Sequence, residues 1–527
     1  MSAEIKPNQV RIFETTLRDG FQSPGVNVSP EHRLEIAGLL ARMGVDIIEA
    51  GFPISSQENF ESVRAIALAV NGPVICGLSR TGPKDIDRCW EAVEPAGSKG
   101  GARIHVFIAT SEIHMKDKLH MTPEEVVRHA REAVTRAKQY TPDVEFSPED
   151  ASRSDFNFMM RVVLEAVDAG ATTINIPDTV GYAQPEEFGK RIVEVKRRID
   201  EHIGKDVVVL SAHCHNDLGL ATANTLAAVM AGARQVEVTI NGIGERAGNT
   251  SLEEVVATLL HRPDFYVANG APLFTKVDPQ YIFEASELVA KRSGMVVQPN
   301  KAIVGINAFA HESGIHSAGV QANPLTYEIM KPETFGQRQT RIVIGAESGH
   351  SAIISRATEL GFVIKDSDRI ALTAKVKEYA NEKRRALADT ELEQIFAAFT
   401  GEVLSENIFT VEHLNLSSSD QNSEAEIRML MGGKECVVKG HGNGPIEAAI
   451  NAIKTATGLN IDILEWSGKS LEGGAKADSG SEVTIQVDGK RISGYAENES
   501  VPYAAIYAYV AALNTARRTQ QRTTKVS

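Results

Sequence analysis

Ser211-Ala-His213-Cys-His215-Asn-Asp-Leu-Gly-Leu220 follows directly on Val207-Val-Val-Leu210, and together they read as one buried strand ending in a polar turn. A continuous β-branched run is the pattern of a parallel strand covered on both faces. Side chains two apart in an extended segment point the same way, so His213 and His215 leave the strand's carboxyl end toward one point. Two imidazoles so placed can share an ion. They can also close the strand and cap a helix beginning near Asp217, but the Asn216-Asp217-Leu-Gly that follows at once favours the metal pair.

Working outward, strand-like runs occur at 10–17, 45–51, 73–79, 102–110, 143–150, 172–179, 207–215 and 235–243. Each precedes an amphipathic stretch, several opening on helix-start signals such as Ser29-Pro30-Glu31, Thr122-Pro123-Glu124 and Gln184-Pro185-Glu186. Eight βα units in series predict an α/β chain whose first domain is a closed (β/α)8 TIM barrel. An open doubly wound sheet is the alternative, but no G-x-G-x-x-G follows the first strand. In a barrel the carboxyl ends of all strands share one mouth. That mouth collects Arg18, Asp19, Glu49, Ser79, Glu149, Thr179, His213, His215 and Asn241, with Asn249 in the Gly-rich loop behind it. Any one of them fits a cap or a turn; their concentration at one end does not.

From 271 to 400 the alternation stops and the pattern becomes mostly helical, with a helix over 279–292, the segment Gly305-Ile-Asn-Ala-Phe-Ala-His311-Glu-Ser-Gly-Ile-His316-Ser-Ala-Gly319 and a long amphipathic run over 367–399. From 401 to 527 the sequence repeats itself. Strand, Gly-Lys hairpin, strand, glycine turn and Ala-rich helix occur over 424–456 and again over 481–513, and earlier strands at 409–416 and 461–471 extend each unit to βββα. The expected organisation is a barrel over 1–270, helical subdomains over 271–400 contributing to the active site, and a pseudo-symmetric α+β regulatory and dimerisation domain over 401–527. Gly440-His-Gly-Asn-Gly444 lacks a Walker lysine and reads as a tight strand-to-helix turn.

The chain has 527 residues, 42% hydrophobic and 24% charged, as in soluble globular proteins. A net charge of −14 and a pI near 5.6 argue against nucleic acid or an anionic membrane as the main partner. The N-terminal Met1-Ser-Ala-Glu-Ile-Lys-Pro-Asn-Gln has no signal-like apolar core, and no stretch is apolar enough to span a bilayer, so a cytoplasmic location is expected. Cys76, Cys89, Cys214 and Cys436 show no CxxC spacing, in keeping with unbridged thiols.

Asp19, His213 and His215 offer one oxygen and two nitrogen ligands, with Asn249 or water to complete the sphere. This hard, mixed set suits Mn²⁺, Mg²⁺ or Zn²⁺ and leaves positions open, unlike thiolate-rich structural zinc sites. An open divalent ion beside a fixed cation suits a 2-oxo acid, which chelates through carboxylate and carbonyl. Arg18 is then placed to stabilise an oxyanion formed at the carbonyl, unless it only pairs with Asp19 or Glu49. Glu149 and His316 are candidate bases for generating a carbanion, although His311 and His316 also fit as ordinary loop histidines. Thr179 offers a hydroxyl for a substrate carboxylate, or a helix cap.

Thr15-Thr-Leu-Arg-Asp-Gly-Phe-Gln-Ser-Pro-Gly25, His213-Cys-His-Asn-Asp-Leu-Gly-Leu-Ala221 and Asn241-Gly-Ile-Gly-Glu-Arg-Ala-Gly-Asn249 resemble the signatures of the DRE-TIM metallolyase superfamily in its Claisen-condensing branch. Within it the chain is most similar to the 2-isopropylmalate synthase family, along almost its whole length. The resemblance implies a transferase that condenses acetyl-CoA with 3-methyl-2-oxobutanoate and hydrolyses the thioester, the committed step of leucine synthesis. It further implies Asp19, His213, His215 and Asn249 as metal ligands, manganese being the first expectation. Arg18 then matches the oxyanion-stabilising arginine, Glu149 the carboxylate near the acetyl group, Thr179 the substrate-carboxylate contact and His316 a catalytic histidine often contributed across a homodimer.

The tail resembles the family's leucine-binding regulatory domain. The last loop departs from the family's Asp-rich stretch, reading Gly494-Tyr-Ala-Glu-Asn-Glu-Ser-Val-Pro-Tyr503, so leucine is a candidate effector whose response can differ. A citramalate or homocitrate synthase on the same scaffold is the rival. The apolar content of Arg103-Ile-His-Val-Phe-Ile-Ala-Thr-Ser-Glu-Ile-His-Met115 suits an isopropyl group better than a carboxylate. A lyase of the superfamily needs a cysteine in a Gly-rich loop, which none of the four matches, and a non-catalytic amino-acid sensor has no need of an intact Arg18, Asp19, His213, His215 and Asn249.

Overall fold

The structure, a computed structural model, describes residues 6–337, 340–418, 422–470 and 479–526. Met1–Ile5 of the N-terminal stretch, and Leu471 at the end of the second predicted tail strand, lie outside the described residues. The chain divides into two compact units, one of residues 1–309 and 329–340, the other of residues 310–328 and 341–527.

The first unit is the expected barrel. Strands β1 (Arg11–Glu14), β2 (Ile47–Gly51), β3 (Val74–Arg80), β4 (Ala102–Ala109), β5 (Val144–Glu149), β6 (Thr173–Asp178), β7 (Val209–Cys214) and β8 (Gln235–Val238) close in sequence order. β1 pairs parallel with β8, Arg11 opposite Gln235 and Glu14 opposite Val238, which shuts the ring. Helices between the strands start where the sequence places caps: Ser29 Oγ accepts the His32 N–H, and Thr122 forms a capping box with Glu125. One strand face packs outward on these helices, with Ile12, Ile48 and Val236 against Leu40, Ile66 and Leu259, and Val106, Phe146 and Ile174 against Val134, Val163 and Ile192. Each such fully buried aliphatic contributes roughly 1.5–3 kcal/mol.

The inward face is unusual. Phe13, Ile47 and Cys76 fill one side of the lumen. The strands opposite carry polar residues two apart: Arg103 and His105 on β4, Glu145, Ser147 and Glu149 on β5, Ser211 and His213 on β7, Gln235 and Glu237 on β8. At the amino-terminal end they interlock, Arg103 Nη1 donating to Glu145 Oε2 and Gln235 Oε1 at 2.8 Å, and Gln235 Nε2 donating to Glu145 Oε1 at 2.7 Å. Barrel layers are ordinarily apolar; a polar layer is stable when its members satisfy one another.

Glu14, next to Phe13 and so on the other face of β1, is among the buried carboxylates left partly unmet. Its Oε1 accepts from the Thr16 N–H and hydroxyl, but its Oε2 is buried with no hydrogen-bond partner among the described residues. Burial pushes this carboxyl up from 4.5 to about 8. The folded chain therefore keeps a proton that the unfolded chain gives up above about pH 4.5, and stability falls as the pH rises through 8. At about 1.4 kcal/mol per pKa unit, a few kcal/mol are at stake. Glu14→Gln is expected to remove that alkaline loss, so that thermal melts at pH 6 and pH 9 coincide more closely in the variant than in the parent; an unchanged gap refutes it.

The second unit contains helices Gly314–Ala322, His350–Glu359, Arg369–Lys383 and Asp389–Thr400, then two βββα modules. The single helical run expected over 367–399 is broken, because Arg384 adopts a left-handed conformation (φ 51°) and ends the first helix. Strands Phe409–Ser418, Ser423–Met431 and Lys434–Gly442 form one antiparallel sheet, and Ile463–Ser470, Ser479–Val487 and Lys490–Asn498 the other. Helices Pro445–Thr457 and Val501–Val526 cover them. Gly440 and Gly494 occupy matching places: a Cβ on either would strike the helix backbone, at Ala448 and Ala452 in the first module and Ala508 and Ala512 in the second. This shared close approach is the physical basis of the repeat. Ile450, Ile453, Ile506 and Tyr509 belong to one continuous core.

Candidate active site

At the carboxyl end of the barrel, β7 delivers His213 and, one turn of pleat later, His215. Their Nε2 atoms lie 3.1 Å apart, and each lies 3.7 Å from Asp19 Oδ2 in the loop after β1. Donor separations of about 3 to 4 Å are those of ligands at ~2.1 Å from a common centre. All three side chains are buried, and their donor atoms lie within 4.8 Å of one another. Asn249 joins them: its loop folds back so that the Asn249 N–H donates to Gly242 O at 2.9 Å and the Asn216 N–H to Gly248 O at 2.9 Å. The Asn249 amide donates to Asp19 Oδ2 at 2.7 Å, which leaves Oδ1 buried with no hydrogen-bond partner among the described residues. A buried carbonyl oxygen without a donor, beside two imidazoles that face each other, fits a cation.

The surrounding charges are arranged to keep the donors competent. His213 Nδ1 meets Glu237 Oε2 at 2.7 Å, the carboxylate–histidine arrangement that presents Nε2 as the free lone pair. Burial opposes a charge on His213, yet Glu237 holds it above its usual range, whereas burial and the neighbouring His213 push His215 down to about 4. Burial also opposes the charge of Asp19, and the Arg18 guanidinium reverses that, holding the carboxyl well below the usual range. Arg18 is fixed at two points, Nη1 to Asp19 Oδ1 and Nε to Glu49 Oε2, both at 2.6 Å. The ion pairs allowed by the sequence therefore exist, and they present the guanidinium beside the Asp19, His213 and His215 cluster.

His105 was not singled out from the sequence. Its Nδ1 meets Glu49 Oε1 at 2.9 Å and its Nε2 meets Ser147 Oγ at 2.7 Å, which in turn accepts from Asn175 Nδ2 at 2.9 Å. The signal was present as the alternation Arg103-x-His105 inside a strand, one turn below the residues at its end.

Thr179 and Glu149 follow on β6 and β5. Thr179 Oγ1 accepts the Asp150 N–H at 2.9 Å and keeps its own hydrogen to donate, and Arg246 ties the loops by donating to Thr179 O and Asp217 Oδ2, each at 2.9 Å. Glu149 Oε1 pairs with Lys118. Asn241 turns away: its amide and carbonyl engage Ser286, so it braces a helix. The helix expected near Asp217 begins at Ala221, whose N–H Asn216 Oδ1 accepts. His316 lies in the second unit, exposed on helix Gly314–Ala322, with its ring 4.3 Å from that of Tyr327.

Three family models cover nearly the whole chain in order. Residues 9–289 match HMGL-like proteins, 303–384 the homocitrate synthase post-HMGL domain-like family, and 386–517 the LeuA allosteric (dimerisation) domain. The 2-isopropylmalate synthase of Aquifex aeolicus is 46% identical over 509 residues, 96% of each chain. That of Pyrococcus furiosus is 47% identical over 511 residues, 97% of this chain and 99% of its own.

The chain belongs to the 2-isopropylmalate synthase family. The enzyme of Nitrosospira multiformis, 45% identical over 95% of this chain, falls in the same group. Such coverage takes in the barrel, the Gly-Ile-His segment and the doubled tail alike. Within this family of acyltransferases the barrel is the HMGL-like part and the βββα pair is the LeuA part. No helix among the described residues is long and apolar enough to cross a membrane.

Proposed function

We propose that this chain condenses acetyl-CoA with 3-methyl-2-oxobutanoate and water to give 2-isopropylmalate and CoA. The observation that supports it most is the convergence of Asp19, His213 and His215 on one buried point beside Arg18. Asp19, His213, His215 and Asn249 would hold a divalent cation, Mn²⁺ first and Mg²⁺ or Zn²⁺ as alternatives. Such an ion supplies Lewis acidity at the C2 carbonyl of a chelated oxo acid.

The protein's own groups carry the remaining work. Thr179 donates its hydroxyl to the substrate carboxylate. Glu149, with His316 as the other candidate, accepts a proton from the acetyl methyl group, leaving the electron pair on carbon as the thioester enolate. That carbon attacks C2, and the Arg18 guanidinium stabilises the negative oxygen that forms. Water then cleaves the thioester and releases CoA. A homodimer in the cytoplasm, with leucine as candidate effector acting on the doubled tail, completes the reading.

The test is CoA release from acetyl-CoA with 3-methyl-2-oxobutanoate, pyruvate or 2-oxoglutarate, each with and without chelator. The branched oxo acid should turn over fastest, chelation should stop release and Mn²⁺ should restore it. Preference for pyruvate or 2-oxoglutarate would move the chain to a citramalate or homocitrate synthase, and no release at all would leave a sensor.

A further inference from the structure

The two oxygens of Glu149, at the end of β5, stand in different surroundings. Oε1 accepts from Lys118 Nζ at 2.6 Å, while Oε2 is buried with no hydrogen-bond partner among the described residues. The carboxylate is therefore held in place by the one hydrogen bond it makes among the described residues. Lys118 comes from a π-helical turn, Met115–Leu119, that ends at His120 in a left-handed conformation. π-Turns are uncommon and recur at functional sites, where the extra residue re-aims a side chain. From the preceding turn His114 Nδ1 lies 3.9 Å from Glu149 Oε1 and 3.7 Å from Asp150 Oδ2, and Asp150 is itself paired with Arg153 at 2.8 Å. Lys118 is thus the one cation among these groups in direct contact with Glu149, and its side chain is half exposed.

We propose that Lys118 is the positioning residue of Glu149: by holding Oε1 it fixes the orientation of the carboxylate that takes the proton of the acetyl methyl group. This rests on the role given above to Glu149. In the step so arranged the methyl C–H bond breaks, its electron pair stays on carbon as the enolate, and the proton bonds to the Glu149 carboxylate. Lys118 touches no reacting atom. Without its bond the carboxylate turns about its own torsions, and a misplacement of about 1 Å at the reacting group costs on the order of 10²-fold in rate.

The experiment uses the full chain loaded with Mn²⁺ and compares Lys118→Met, which keeps the stem, with Lys118→Arg, which keeps the charge. Lys118→Met is expected to lower kcat about 10²-fold. It should leave the melting temperature and the KM for 3-methyl-2-oxobutanoate unchanged, and slow deuterium exchange into the acetyl methyl group in parallel. Lys118→Arg should recover about tenfold or more of the lost rate. Wild-type kcat in Lys118→Met, or an arginine variant no better than the methionine one, overturns the assignment. Glu149→Gln separates the two readings: if it keeps full turnover, the role of Glu149 fails; if it is inactive while Lys118→Met is unimpaired, only the lysine is wrong.

Discussion

Replacement of His213 by alanine is expected to abolish Mn²⁺ binding and CoA release with it. The loss should exceed that of Glu237→Gln, because Glu237 acts on the ion only through His213 Nδ1 at 2.7 Å. Removal of such an outer partner costs about 10–100-fold in affinity. Titration calorimetry with Mn²⁺ on both variants, beside CoA release, gives the ranking. A His213→Ala protein that binds Mn²⁺ like its parent would falsify the assignment of the three-donor cluster, whatever its turnover.

Arg18→Ala should be nearly as damaging to catalysis and more damaging to the fold. Loss of one donor to a developing oxyanion costs about 10²–10³-fold in kcat. Arg18 also neutralises two buried carboxylates, and breaking a buried pair by removing one partner costs about 3–5 kcal/mol. Burial opposes the charged form of Glu49, and Arg18, followed by His105, more than offsets that, holding the carboxyl down to about 2. A depressed carboxyl contributes stability above its ordinary value of 4.5, and that stability is lost as the pH falls toward 2. The variant should therefore be least stable relative to its parent at neutral pH, with the gap in denaturant midpoint closing below about pH 4. Lysine is a poor substitute, since one ammonium cannot span Asp19 Oδ1 and Glu49 Oε2 as the two guanidinium nitrogens do. An unchanged kcat in Arg18→Ala sinks the oxyanion role.

The barrel was legible because each of its strands is marked on its own: a short apolar or β-branched run, a polar end, a helix start. The cluster that could hold a metal is legible for a similar reason, His213 and His215 being two apart and Asp19 next to an arginine. Side chains inside the barrel were not. Arg103, His105, Glu145, Ser147, Gln235 and Glu237 sit within runs that an apolar scan reads simply as strand, and only closure of the sheet turns their alternation into a shared lumen. Asn241 and Arg384 show another limit. Both take left-handed conformations, φ 60° and 51°, that a non-glycine side chain does not announce. The Ser286 contacts that hold Asn241 come from a helix 45 residues on, beyond the reach of local pattern. The tail was read correctly as two βββα modules because glycine, Ala-rich helix and Gly-Lys hairpin recur together, and their recurrence is forced by the helix lying directly on the strand.

A ring of strands has one joint where the first meets the last, and in this barrel that joint is the pairing of β1 with β8. The donors straddle it: Asp19 follows β1, while Asn249 follows β8 and donates to it at 2.7 Å across 230 residues of chain. An ion held there, as proposed above, would tie the beginning of the domain to its end. On the function proposed above, metal loading would add a cross-link to a ring already closed by backbone pairing, so it would raise the barrel's thermal stability along with its activity.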